Sequence, residues 1–210
     1  MKRPPCHPRQ RGATLMITLM LLSVILLLGA ATTSLLLLEE RGARNHRERA
    51  QARLAAQAAL EDACDDLRYH RQIDPGQFTA RRACRSDAAG AGLCVGQHDR
   101  AGWEPAQLHG PDALSATYGQ FTGRRYRALP GVATPRYLIE RLAPKSDKGS
   151  SKLPDDEEAP TLYRLSAVGY GRQGAIVALQ ALVQLPARPG SMPASCPLRA
   201  WRPLYLPLTE

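Results

Sequence analysis

The sequence predicts an α+β fold in which one long N-terminal helix packs on a small antiparallel sheet, followed by an irregular C-terminal tail. A proline-free stretch from residue 13 to about residue 72 indicates the helix. Strands are indicated by segments in which apolar and polar residues alternate, near 136–142, 162–170 and 175–185. The tail, residues 186–210, holds six of the 17 prolines and is expected to be irregular. Residues 73–210 together are predicted to form a globular head.

The first part of the predicted helix is apolar. Residues 13–38 carry no charged side chain, and these 26 residues span about 39 Å at a rise of about 1.5 Å each, more than the roughly 30 Å core of a bilayer. The residues before this run include four basic side chains and no acid: Lys2, Arg3, Arg9 and Arg11. Positive charge favours the cytoplasmic side of a membrane. We therefore expect residues 1–12 in the cytoplasm, a single span of the inner membrane and a periplasmic C-terminus.

The second part of the predicted helix, residues 39–72, is amphipathic. Apolar residues recur at spacings near three and four, at Ala50, Leu54, Ala58, Ala59, Ala63 and Leu67. This stripe is expected to pack on the sheet. The acidic residues of the same segment are interpreted as its solvated face: Glu48, Glu61, Asp62, Asp65 and Asp66. The sequence Asp74-Pro75-Gly76 is typical of a turn and is expected to end the helix.

The head shows strand signals mainly in its second half. Residues 77–125 have little periodicity and are predicted to be loop with one or two short elements. The segment Gly171-Arg172-Gln173-Gly174 separates two alternating stretches, which indicates an antiparallel hairpin. Residues 145–160 are polar, and their acidic run, Asp155 to Glu158, lacks the ligand spacing of a calcium loop. We interpret that stretch as a solvated loop.

Charge and aromatic content do not indicate nucleic-acid binding. The net charge is +9, of which four charges precede the apolar run, and the other arginines are scattered. Aromatic residues make up 5% of the chain. A nucleic-acid-binding protein would concentrate basic residues on one face beside aromatic side chains. No direct contact with nucleic acid is expected.

The five cysteines divide between the two sides of the predicted membrane. Cys6 precedes the span, and the other four follow it, in an oxidising periplasm. A short loop is the least costly to close, which favours a Cys84–Cys94 disulfide and leaves Cys64 to pair with Cys196. The alternative is that one or more of these cysteines are free, buried thiols.

Patterns typical of enzymes are missing from the sequence. The five histidines show no HExxH spacing, and no CxxC, phosphate-binding loop or GxSxG elbow is present. We therefore expect neither catalysis nor a bound metal or cofactor.

The junction Arg11-Gly12-Ala13, with a basic residue and a glycine directly before a long apolar helix, resembles a type IV prepilin signal. The resemblance implies that a prepilin peptidase cleaves after Gly12 and N-methylates Ala13. Two other readings are open. The apolar helix is an uncleaved anchor, or it is a secretory signal peptide cleaved near Ala31, after the small residues Gly29 and Ala30.

A longer stretch of the chain resembles PilX-type minor pilins. The resemblance covers roughly residues 9–185 in order. It includes Gln10-Arg11-Gly12-Ala13, Leu38-Glu39-Glu40-Arg41, Arg49-Ala50-Gln51, Pro135-Arg136-Tyr137-Leu138-Ile139-Glu140 and Tyr163-Arg164-Leu165-Ser166-Ala167. It implies a type IV pilin-like fold and a minor pilin that primes pilus assembly. The implied partners are prepilin peptidase, other minor pilins, the major pilin and, as a further candidate, a tip adhesin.

One position departs from the usual pilin pattern. Most pilins have glutamate as the fifth mature residue, where it neutralises the terminal amine of a neighbour, whereas here that position is Ile17. A subunit with no neighbour ahead of it has little use for a buried carboxylate. We therefore predict a position at or near the filament tip. Two rival functions are a tip pseudopilin of type II secretion and a membrane-anchored periplasmic protein with no filament role.

Overall fold

The computed structural model of the chain describes residues 13–78, 83–97, 100–111, 113–142, 161–186, 196 and 198–206. The chain divides into two compact units, residues 1–46 and residues 47–210. The predicted leader, residues 1–12, and the acidic run at 155–158 lie outside the described residues.

A helix, α1, runs from Ala13–Asp65 and continues as a π-helical turn at Asp66–His70. It ends two residues before the predicted limit at residue 72, where Gln72 has a φ of 47° and so departs from helical geometry. The following turn is capped by Asp74, whose carboxylate accepts the N–H of Gly76 at 2.6 Å.

The helix is followed by a sheet of six strands and by the short helix α2. In chain order these elements are β1 (Leu93–Gly96), α2 (Pro105–His109), β2 (Ala116–Thr117), β3 (Arg136–Leu142), β4 (Thr161–Tyr170), β5 (Ile176–Leu185) and β6 (Leu198–Leu204). The strands are arranged β1-β3-β4-β5-β6, and β2 pairs with the beginning of β3. The structure therefore has the α+β, pilin-like arrangement of a long helix on a small sheet.

Two features of the sheet differ from the prediction. The sheet is mixed rather than antiparallel, because β1 pairs with β3 in parallel, with Leu93 opposite Ile139. The C-terminal tail is not wholly irregular, because β6 adds to β5 in antiparallel register, with Trp201 opposite Ala181. The tail was predicted to be irregular because prolines are uncommon in strands. An edge strand can hold a proline such as Pro203, since only one of its sides must be hydrogen-bonded.

The core between α1 and the sheet is built from small helix residues against larger strand residues. The buried helix positions are Ala52, Ala55, Ala56, Ala59, Leu60, Ala63, Cys64 and Leu67. The prediction of the apolar stripe was therefore wrong at its N-terminal end, where Ala50 is exposed and Leu54 is 67% exposed. Small residues recur on more than one face of this helix, so their spacing did not determine which face meets the sheet.

The opposite face of the sheet has a smaller core. Trp103 and Leu108, from the segment around α2, pack there with Leu138 of β3 and Val168 of β4. The segment 77–125, predicted as mostly loop, thus supplies β1, α2 and β2 as well as a 3₁₀ turn at Ala88–Gly90. Its elements are two to five residues long, too short to show a periodic pattern.

Candidate functional site

The apolar half of α1 is the largest exposed apolar surface in the described residues. Its side chains from Leu15 to Leu28 are exposed, including Ile17 at 58%. A side chain built at Gly29 would meet nothing within 4 Å. By length and composition, α1 and its π turn form the one helix in the described part of the chain able to cross a membrane, with a mean hydropathy of 2.5 in its most apolar window. This surface requires an apolar environment or a protein partner.

Four hydroxyl groups on this surface are satisfied within the helix. Four hydroxyls donate to the carbonyl three residues earlier: Thr18 to Leu15, Ser23 to Met20, Thr32 to Gly29 and Thr33 to Ala30, at 2.8–2.9 Å. Backbone hydrogen bonds in a helix are also internal. The helix can therefore enter a medium without water and leave none of these hydroxyls unpaired.

Charge returns where the apolar run ends. Glu40 pairs with Arg44 one turn later at 2.5 Å, and both side chains are more than half exposed. Such an exposed pair adds little stability, about 0.3–0.5 kcal/mol. The boundary at Leu38 is thus a change from an apolar to a solvated surface within one continuous helix.

The structure places the predicted site residues as follows. Ala13 is the first residue of α1, and Gly12 lies outside the described residues. Cys64, at the end of α1, is joined to Cys196 before β6, with Cα atoms 6.1 Å apart. Cys84 is joined to Cys94 of β1, with Cα atoms 3.9 Å apart. The two disulfides attach the tail to the helix and the segment before β1 to the sheet.

Two acidic residues, one near the end of α1 and one in the π-helical turn, do not face solvent, and their interpretation as part of a solvated face was wrong. Asp62 and Asp66 are fully buried. Asp62 accepts the N–H of Gly119 at 2.7 Å and the hydroxyl of Thr122 at 2.5 Å. These bonds attach the loop after β2 to the helix, so Asp62 has a structural role.

Asp66 is at the centre of a second buried network. It accepts the phenol of Tyr137 at 2.8 Å and the guanidinium of Arg71 through Nε at 2.8 Å. Arg71 also donates to the carbonyls of Ala89 and Ala91, and it stacks 3.6 Å from the ring centre of Phe121. The network therefore connects the end of the helix to β3 and to both loops beside it.

Burial and charge shift the titration of the buried tyrosines in this core. Burial is the main cause that raises the pKa of Tyr137, and the neighbouring carboxylate of Asp66 raises it further. Burial likewise raises the pKa of Tyr163 to about 12. Both phenols are therefore neutral hydrogen-bonding and packing groups at ordinary pH.

A third polar group lies on the opposite face of the sheet. Glu140 is fully buried, accepts the backbone N–H of Gly102 and pairs with Arg164 at 3.2 Å. Burial raises the pKa of Glu140, and the hydrogen bond from Gly102 and the charge of Arg164 oppose that rise. The alternating pattern of β3 and β4 did not indicate this pair. The only sequence signal for it was that one predicted strand contains an acid, Glu140, and the next contains a base, Arg164.

The described residues contain no cluster of three or more histidine, cysteine or acidic side chains able to hold a metal ion. The residues that sequence reasoning missed, Asp62, Asp66, Glu140 and Arg164, are held by internal hydrogen bonds. Their arrangement supports the fold, and the exposed apolar helix is the surface suited to assembly.

Two family models match the chain. One, described as PilX N-terminal, matches residues 11–61. The other, described as type IV pilus assembly protein PilX C-term, matches residues 72–185, which is more than half of the chain. The chain belongs to the PilX family. No curated protein and no solved structure matches it.

Membership of the PilX family makes this chain a minor pilin of type IV pilus assembly. PilX proteins are structural pilus components that interact with other pilus components, and they are not a known enzyme family. The first match includes most of α1, and the second ends with β5. The strand β6 and its disulfide partner Cys196 lie beyond both matches.

Proposed function

We propose that this PilX-family minor pilin is made as an inner-membrane precursor and primes pilus assembly at or near the filament tip. In this account, prepilin peptidase cleaves after Gly12 on the cytoplasmic side and methylates Ala13. The mature helix then leaves the membrane and packs among the helices of other subunits.

The exposed apolar half of α1 supports both the membrane-anchored stage and the filament stage of this proposal. In the precursor its uncharged length suits a bilayer core, and four of its hydroxyls are paired internally. In the filament the same surface packs against helices, where small residues such as Gly29 permit close approach. The basic residues before Ala13 support a cytoplasmic leader and a periplasmic head. There the two disulfides form in an oxidising compartment.

The single observation that carries the tip position is Ile17, the fifth residue after the proposed cut. A carboxylate inside a bilayer or filament core must be paired. In a subunit that follows another in the filament, the glutamate pairs with the terminal amine of the subunit ahead of it. A subunit at the tip has no such amine ahead of it. An isoleucine at this position avoids an unpaired charge in an apolar environment.

The head supplies the contacts of the priming complex. Its partners in the proposal are other minor pilins and the major pilin, with a tip adhesin as a further candidate. The network at Asp66 and the disulfide to Cys196 support this role, because they hold the loops and the tail on a rigid base.

The experiment that tests the proposal compares Ile17→Glu with Ile17→Leu in cells that lack the native copy. We expect Ile17→Leu to restore the number of pili, and Ile17→Glu to lower it because the new carboxylate has no partner. Gold labelling of an epitope-tagged native chain should mark one end of sheared filaments. Labelling along the whole filament, together with normal piliation by Ile17→Glu, contradicts the tip position.

A further inference from the structure

The outer face of β4, β5 and β6 has an open groove. One cavity of about 240 Å³ is lined by apolar side chains, Leu142, Leu162, Leu182 and Ala200, together with Arg164, Gln180 and Arg202. A second cavity of about 210 Å³ shares the same three polar side chains and has Trp103 and Leu204 in its wall. We call these two cavities the Arg202 groove.

The polar centre of the Arg202 groove is oriented by a relay of hydrogen bonds. Gln180 is buried and donates through Nε2 to the hydroxyl of Ser166 at 3.1 Å. This bond directs the amide oxygen of Gln180 towards Arg202, which donates to it through Nε at 3.1 Å and Nη2 at 2.9 Å. The guanidinium is thus held in place by a neutral group.

No described acidic side chain compensates the charge of Arg202. In the part of the chain that the structure describes, Arg202 pairs with no carboxylate. The buried acid Glu140 is paired with Arg164. An arginine has five N–H donors, and the amide of Gln180 takes two of them, so planar donors remain for a ligand.

We propose that the Arg202 groove binds an aspartate or glutamate side chain on an extended segment of another pilus subunit. A carboxylate matches the planar donors of a guanidinium, and the apolar walls suit the hydrophobic neighbours of that acid. The surface lies on β6 and on the face opposite α1, so the contact is distinct from helix packing in the filament. The inference rests on the proposed function, since it takes the partner to be a pilus subunit.

The test is site-specific photo-cross-linking of the full chain in cells that produce the whole pilus apparatus. Replacing Ala200 with p-benzoylphenylalanine places the probe in the wall of the groove. We expect an adduct to another pilus subunit, with an aspartate or glutamate in the cross-linked peptide. Arg202→Gln should lower its yield about tenfold, the usual effect of losing a charge-assisted hydrogen bond. Arg172→Gln removes the same charge at the exposed hairpin turn and should leave the yield unchanged.

A charge exchange makes the test specific for the carboxylate. Arg202→Glu should abolish the adduct, and replacing the identified acid of the partner by arginine should restore it. Arg202→Lys keeps the charge but loses the planar fork, so it should give an intermediate yield even if Arg202→Gln fails to fold. An adduct only to this chain's own residues or to lipid overturns the proposal, as does a yield that Arg202→Gln and Arg202→Glu leave unchanged.

Failure of this inference is distinguishable from failure of the proposed function. If the native chain is cleaved and found in pili while the yield of the adduct does not depend on Arg202, only the groove assignment is wrong. If the native chain is uncleaved and absent from pili, the pilus function itself is wrong.

Discussion

Gly169 of β4 lies directly over the backbone of α1 at Ala52. A Cβ atom built on Gly169 would stand 2.2 Å from the carbonyl oxygen of Ala52 and 2.3 Å from the amide nitrogen of Ala56. In an α-helix, the amide of residue 56 donates to the carbonyl of residue 52, so both atoms belong to one backbone hydrogen bond. The helix can therefore approach the sheet this closely only because residue 169 has no side chain.

Gly169→Ala should destabilise the head by about 1–3 kcal/mol, because the new methyl group meets backbone atoms that cannot rotate away. The measurement is thermal unfolding of the full chain in detergent. Gly42→Ala is the matched control, since a Cβ there meets nothing within 4 Å and alanine favours a helix. Equal melting temperatures for the two variants would contradict the close approach.

Asp66→Asn should destabilise the chain by about 3–5 kcal/mol, because it leaves Arg71 with its charge uncompensated in a buried site. Tyr137→Phe should cost less, about 1.5–3 kcal/mol, since it removes one hydrogen bond to a charged group. Chemical denaturation measures both. Glu40→Gln, in an exposed pair, is the control and should change stability by less than about 1 kcal/mol. A loss for Asp66→Asn no larger than that of the control would restore the solvated-face interpretation.

Replacing Cys64 and Cys196 together with serine should lower stability by about 2–5 kcal/mol, because the bond closes a segment of 132 residues. The local effect should be greatest on β6, whose amides should exchange with solvent faster than those of β4. Replacing Cys84 and Cys94 is the comparison, with a separation of ten residues and an expected loss of about 2–4 kcal/mol. Titration of free thiols other than that of Cys6 in the folded native protein would show that the bonds are not formed.

Stability should fall as pH rises above about 10, the ordinary pKa of a tyrosine. The folded state holds the proton of Tyr163 up to a pKa of about 12, whereas the unfolded chain releases it earlier. Between these values the unfolded state binds fewer protons, so alkali favours unfolding. Tyr163→Phe should flatten this fall, and Tyr137→Phe should do so too, since its pKa is also raised by burial. The midpoint of urea unfolding, measured between pH 9 and pH 12, reports the effect. If the midpoint falls with pH in parallel for the native chain and both variants, these tyrosines do not cause the fall.

The regular parts of this fold were predictable because long periodic segments reveal their structure. The strands β3, β4 and β5 lie at 136–142, 161–170 and 176–185, within a residue of the alternating segments. The hairpin turn also follows from its glycines, and Gly174 has a φ of 83°, a conformation that glycine adopts readily. By contrast, β6 contains Pro203, and its pairing partner is fixed by tertiary contacts and by Cys196.

The polar core of the head was not predictable from local pattern. Asp62 and Asp66 look like the other acids of the helix, and their burial depends on Gly119, Thr122 and Tyr137, which lie more than 50 residues away. Periodicity reports which face of a helix is apolar, but it carries no information about a distant hydrogen-bond partner.

The mature N-terminus is the most direct test of the central claim, that this chain is a processed pilin. Mass spectrometry of the chain purified from sheared pili and from membranes determines it. We predict a terminus at N-methylated Ala13, and Gly12→Val should block its formation and reduce piliation. A terminus at Met1 in functional pili would contradict the account, and one at Thr32 would identify a cleaved secretory leader instead.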